Sequence, residues 1–147
     1  MDKGVIRKMK KWIIEWDKED PQILWARVEE QIDWSDLHLF FDEFQQMVES
    51  TNDPVFGISV LKEDFKLPTG GNPLPHIKRG IQLVHAHSQM QLMITVMKKH
   101  NSIVLQFTNL LIKVMPGINI AKYPFAGSEA EARAIVNRYR EEASIGS

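Results

Sequence analysis

A chain of 147 residues has the size of one compact domain built on one hydrophobic core. Hydrophobic residues make up 44% and charged residues 25%, a balance that excludes a disordered chain, and a formal net charge of −1 gives no overall pull toward nucleic acid or anionic membrane. The absence of cysteine excludes disulfides, thiol nucleophiles and thiolate-bound zinc.

In chain order, residues 1–10 form a basic N-terminal segment. Lys3, Arg7, Lys8, Lys10 and Lys11 read either as a solvated terminus or as a contact for an acidic surface. The longest early apolar run, Trp12-Ile13-Ile14, is too short for a signal-peptide core or a membrane span, so a cytoplasmic protein with no transmembrane segment is expected. A single domain is expected over 1–147, with its core at 11–143 and a tail at 144–147.

"KWIIEW" (11–16) and "ILWARV" (23–28) are rich in aromatic and β-branched residues and are separated by the turn formers of "DKEDPQ", which predicts an antiparallel hairpin. Asp33 is placed to cap a helix whose apolar positions Leu37, Phe40, Phe41, Phe44, Met47 and Val48 follow the 3.6-residue period. Asp53-Pro54 ends it. "VFGISVL" (55–61) reads as a strand covered on both faces.

After a loop, a second helix begins at Pro73 or Pro75, with Leu74, Ile77, Ile81 and Val84 inward. "MQLMITVM" (90–97) is the next strand. A third helix follows from an Asn101 cap through "SIVLQFTNLLIKVM" to Pro116-Gly117, and "INIAKY" (118–123) reads as the final strand. Ser128 and Glu131 form a capping box opening the last helix, with Ala132, Ile135, Val136 and Tyr139 inward. The order β-β-α-β-α-β-α-β-α implies an α/β fold: a largely parallel sheet with one antiparallel strand, flanked by helices.

From Trp12 to about Glu142, that order resembles the STAS or SpoIIAA-like group. The resemblance implies a non-enzymatic module acting through protein–protein contact. Its best-known members are switched by phosphorylation of a serine after the third strand. Here the equivalent segment reads "EDFKLPTGGNP", where Asp64 stands for the aspartate and Thr69 is the only hydroxyl.

The segment "LPTGGNPLPHIKRG" (67–80) lacks the lysine and hydroxyl of a phosphate-binding P-loop, and no dinucleotide-binding glycine spacing is present. Three readings remain for it: a turn needing positive φ at glycine, a partner-contacting loop, or an anion site at a helix N-terminus. The residues concerned are Asp64, Lys66, Thr69, Gly70, Gly71, Asn72, His76, Lys78 and Arg79.

His85 and His87 are two apart and diverge on a helix, which favours contacts with the helix's carbonyl end over metal binding. His76 and His100 read as loop or cap residues, and His38 as lying on the polar side of the first helix. No cofactor pattern, paired catalytic carboxylates or nucleophile elbow is present. An enzyme using His76 or His85 as base is the least supported reading.

The third helix is apolar nearly all round. Either neighbouring elements cover it, or it forms a homodimer interface, or it lines a groove for an apolar ligand. Phe107, Leu110, Leu111 and Val114 on this helix, with Met93 and Met97 on the preceding strand, are the candidates for that surface. The leading expectation is a module that contacts an unidentified protein partner or itself. The alternative is a carrier or sensor with an apolar ligand between sheet and helices.

Overall fold

The computed structural model describes residues 11–62, 65–66, 68, 70–97, 108–109, 112–113, 117 and 119–146. Five strands form one sheet in the order β1-β2-β3-β4-β5: β1 (Trp12–Trp16), β2 (Ile23–Val28), β3 (Val55–Leu61), β4 (Met90–Val96) and β5 (Phe125–Ala126). β1 is antiparallel to β2, and every other pairing is parallel.

The turn between β1 and β2 is organised by aspartates. The Asp17 carboxylate accepts the backbone N–H groups of Glu19 (3.1 Å) and Asp20 (2.8 Å), and Asp20 accepts that of Gln22 (3.1 Å). Helix α1 (Trp34–Glu49) opens on a capping box. Asp33 accepts the N–H of Asp36 at 2.8 Å, and the Asp36 carboxylate accepts that of Asp33 at 3.0 Å. Two donors that the first helical turn leaves unpaired are thereby satisfied.

Helix α2 (Leu74–Ala86) has Pro73 at its N-cap, which offers no side-chain acceptor, and the Asn72 side chain takes the Leu74 N–H instead, at 3.1 Å. Helix α3 (Glu129–Gly146) begins at Ser128, whose hydroxyl accepts the Glu131 N–H at 3.1 Å. The Glu131 carboxylate accepts the N–H of Gly127, one residue earlier than a capping box requires.

The helices divide between the two faces of the sheet. Phe40, Phe44 and Val48 of α1 and Ile77, Ile81 and Val84 of α2 pack with Leu24, Ala26, Val28, Val55 and Met90. Ala132 and Val136 of α3 pack on the other face, against Ile23, Trp25, Phe56, Ile58, Leu92 and Ile94. Gly57 lets α1 approach the sheet. A Cβ there would lie 2.6 Å from Met93 Sδ and 2.9 Å from Phe44 Cζ.

Three polar links tie α3 to the hairpin: Arg133 to Asp17, Arg140 to Asp20 at 2.6 Å, and Glu129 to Arg27 at 2.6 Å. Arg27 and Arg133 both lie over the Trp25 ring, 4.6 and 5.1 Å from its centre.

The expected α/β fold is present, with three corrections to its details. The strand expected at 118–123 is instead a 3-10 turn at Ile120–Lys122, and the edge strand is Phe125–Ala126. Asn119 accounts for this, because its side chain accepts the Ala121 N–H and closes a local turn that competes with a sheet ladder. His76 lies in the first turn of α2, because that helix starts at Leu74. The last helix runs on through Gly146, so residues 144–146 belong to it. The helix after β4 lies largely outside the described residues, although Thr108, Asn109, Ile112 and Lys113 are helical. The basic segment 1–10 also lies outside them.

Candidate functional site

Between the sheet and the α1–α2 pair lies a cavity of about 190 Å³. Its floor includes Val28, Ser59, Leu61, Met93 and Thr95, and its roof includes Phe40, Phe41, Phe44, Ile77, Gly80 and Ile81. Small side chains leave the space open. Ser59 and Thr95 are paired neighbours in the β3–β4 ladder, where larger apolar residues would fill the floor. Gly80 brings the α2 backbone so close to Phe41 that a Cβ would lie 2.7 Å from the ring. Val28 and Leu61 end their strands and Thr95 lies one residue from the end of β4, so the cavity sits at the carboxyl edge of the parallel strands.

Phe65 and Pro68, from the segment that follows β3, complete one wall. Gln31 holds that segment by its backbone. Its amide donates to the Lys66 carbonyl at 2.7 Å, and its side-chain carbonyl accepts the Lys66 N–H at 3.2 Å. Trp34 Nε1 donates to the Gly70 carbonyl at 2.8 Å.

Tyr123 forms the far wall. Its ring is buried, and its hydroxyl is fully enclosed with no hydrogen-bond partner among the described residues. Burial pushes the phenol pKa up to about 12. No charged side chain is among the described residues that line the cavity.

A polar cluster crosses the α1–α2 seam beside the cavity. Trp34 stacks on His76 with ring centres 4.7 Å apart and planes 7° from parallel. Arg79 bridges Asp42 and His38, contacting His38 Nδ1 at 2.6 Å. A guanidinium only donates, so His38 Nδ1 accepts and its Nε2 carries the proton, which it donates to His76 Nδ1 at 2.7 Å. Burial first, then the Arg79 charge and the His76 ring, hold the His38 pKa below its ordinary value.

The described residues of the glycine loop have different settings. Gly70 and Gly71 adopt φ of 87° and 69°, the left-handed conformation that the turn reading expects. Lys66 and Lys78 are exposed, while Arg79 turns away from the loop toward Asp42. The Leu74 N–H at the start of α2 is already capped by Asn72. Asp64 and Thr69 lie outside the described residues.

Of the apolar candidates, Met93 lines the cavity. Met97 is buried just beyond β4, where its N–H donates to the Ala126 carbonyl at 2.9 Å. Phe107, Leu110, Leu111 and Val114 lie outside the described residues. His87 follows the expectation for a helix end. Its Nδ1 meets the Leu83 carbonyl at 2.8 Å and its Nε2 meets Glu49 at 3.1 Å, both raising its pKa against the effect of burial.

Sequence reasoning missed Tyr123, which it placed in a strand, and missed the His38–His76 pair, whose members are 38 residues apart. The one available signal for the cavity was the small polar residue Ser59 within the otherwise apolar "VFGISVL". Among the described residues, no group of three potential ligands could hold a metal ion, and no helix is long and apolar enough to cross a membrane. Compared with models of known families, with curated proteins and with solved structures, the chain matches none.

Proposed function

We propose that this chain is a non-enzymatic binding module that shelters a small apolar molecule between its sheet and the α1–α2 pair. The observation that carries this reading is the 190 Å³ cavity at the carboxyl edge of the strands, whose described lining bears no charge. An apolar cavity of roughly 150 Å³ stays dry and accepts benzene or xenon, so a space of this size suits a single ring with a few further atoms. Ser59 and Thr95 offer hydroxyls, but no histidine or carboxylate among the described lining residues stands by to act as base, which supports binding over catalysis. The element order that resembles SpoIIAA-like domains supports a sensor, in which occupancy is relayed to a protein partner.

A titration with toluene, followed by methyl NMR, tests the reading. Saturable shifts confined to Ile77, Ile81, Val84 and Met93 are expected. Unmoved methyls at the solubility limit of toluene would contradict it.

Self-association is a second reading, favoured by Ile112, which is 46% exposed on the helix that follows β4. Light scattering tests it. A dimer mass that falls to the monomer in Ile112→Glu supports association, and a monomeric wild type removes it.

A further inference from the structure

We infer that the cavity selects a neutral molecule with an apolar body and one oxygen, which sits against the paired hydroxyls of Ser59 and Thr95. This inference rests on the cavity being a ligand site, as proposed above, and specifies the ligand's chemistry.

Strand geometry turns both residues toward the cavity. Side chains two residues apart on a strand share a face. A Cβ on Gly57 would meet both Phe44 of α1 and the Met93 sulfur, so positions 57 and 93 face the α1–α2 pair. Ser59 and Thr95 stand two residues further along β3 and β4, on that same face, and both line the cavity. They are register partners in the parallel ladder, about 5 Å apart, close enough for one ligand oxygen to bond both.

Both residues are half-buried, and neither hydroxyl has a hydrogen-bond partner among the described residues. Unlike the enclosed Tyr123 hydroxyl, neither is sealed from a molecule the size of water. The Trp34 indole N–H, also in the wall, is already given to the Gly70 carbonyl. Ser59 and Thr95 are therefore the open hydroxyl or N–H side chains among the described lining residues.

A polar ligand atom moved from water into an apolar cavity weakens binding unless it regains a hydrogen bond. The floor supplies such bonds at one place. A phenol or alcohol oxygen can accept from one hydroxyl and donate to the other, and a carbonyl oxygen can accept from both. A carboxylate or ammonium would lose its hydration, and no described lining residue offers a counter-charge.

Calorimetric titration of the full chain with toluene, p-cresol and p-toluate tests this, because the three share a ring and a methyl group and differ in the polar group. Wild type is expected to bind p-cresol at least as tightly as toluene. In the double variant Ser59→Ala/Thr95→Val, toluene should bind as before and p-cresol about fivefold or more weakly than in wild type, the ratio that one net neutral hydrogen bond supplies. p-Toluate should bind wild type at least about tenfold more weakly than p-cresol. A ratio of p-cresol to toluene affinity that the double variant leaves unchanged, p-cresol binding wild type more weakly than toluene, or p-toluate matching p-cresol would each overturn the inference while leaving the cavity as a ligand site. Failure of both neutral probes to bind would overturn the cavity reading itself. If the double variant does not fold, a crystal structure of wild type with p-cresol decides. A phenol oxygen within about 3.2 Å of Ser59 Oγ or Thr95 Oγ1 supports the inference, and an oxygen directed elsewhere overturns it.

Discussion

Replacing Tyr123 by Phe should stabilise the unliganded protein, although it removes a polar group and adds no contact. In the unfolded chain the hydroxyl is hydrated. In the fold it is fully enclosed and, among the described residues, unpaired, so folding costs its desolvation, about 1–3 kcal/mol. The phenyl ring keeps its packing. Deleting one oxygen leaves a void of roughly 10 Å³, which at the usual cavity coefficient costs only about 0.2 kcal/mol. The balance is a gain of about 1 kcal/mol or more, equivalent to a rise of about 4 °C in Tm for a chain of this length. Urea unfolding followed by tryptophan fluorescence, with calorimetry at the same pH below 9, measures both quantities. A loss of 1 kcal/mol or more would refute the reasoning, because it would mean that the hydroxyl has a partner in the folded protein.

Two histidines should shift stability in opposite directions with pH. His38 has a folded pKa below its ordinary 6.5, so the unfolded chain binds its proton first and the folded state loses stability as pH falls below about 6.5. Urea midpoints for His38→Gln should therefore decline less than wild type between pH 7.5 and 5, and an identical decline would contradict the hydrogen-bond chain. His87 is raised, so its contribution is fully present below 6.5 and lost as pH rises through the folded value. His87→Gln should cost more stability at pH 5.5 than at pH 8. Asp17→Asn should cost about 2 kcal/mol, because this nearly buried carboxylate holds the Arg133 guanidinium, the Trp25 indole N–H and its own turn; a change below 0.5 kcal/mol in chemical denaturation would show the clamp to be dispensable. Its pKa is held well below the usual carboxylate range, first by Arg133, so that stability is present above about 3.8 and drains away as pH falls. Gly57→Val should destabilise by about 2–3 kcal/mol by driving a side chain into Met93 and Phe44, and wild-type stability in thermal melts would contradict the close approach of α1.

What was legible in the sequence followed from periodicity and local chemistry. Ile23–Val28 and Val55–Leu61 were readable as strands because their runs are short, apolar and bounded by turn formers. α1 was readable because Asp33 and a stripe from Leu37 to Val48 agree on the same helix. The failure at 118–123 has the converse cause. "INIAKY" alternates like a strand, but the side chain of Asn119 closes a turn locally, and the edge pairing passes to a two-residue strand that is too short to give a pattern.

The cavity was legible only in part. Met93 was a candidate for an apolar site between sheet and helices, but the space itself arises because Ser59, Thr95 and Gly80 are small at positions that meet only after folding. The Asp42–Arg79–His38–His76 chain was hidden for the same reason. Its Asp42–Arg79 and His38–His76 pairs are 37 and 38 residues apart in sequence, and only the α1–α2 seam makes them partners.

A crystal of the unliganded protein held under xenon pressure tests most directly whether the space beneath α1 and α2 is empty, apolar and accessible. Xenon should occupy one site between Phe44, Ile81 and Met93, with the surrounding backbone unmoved. Crystals without xenon there, in which Phe41 or Met93 has swung inward to fill the space, would contradict it.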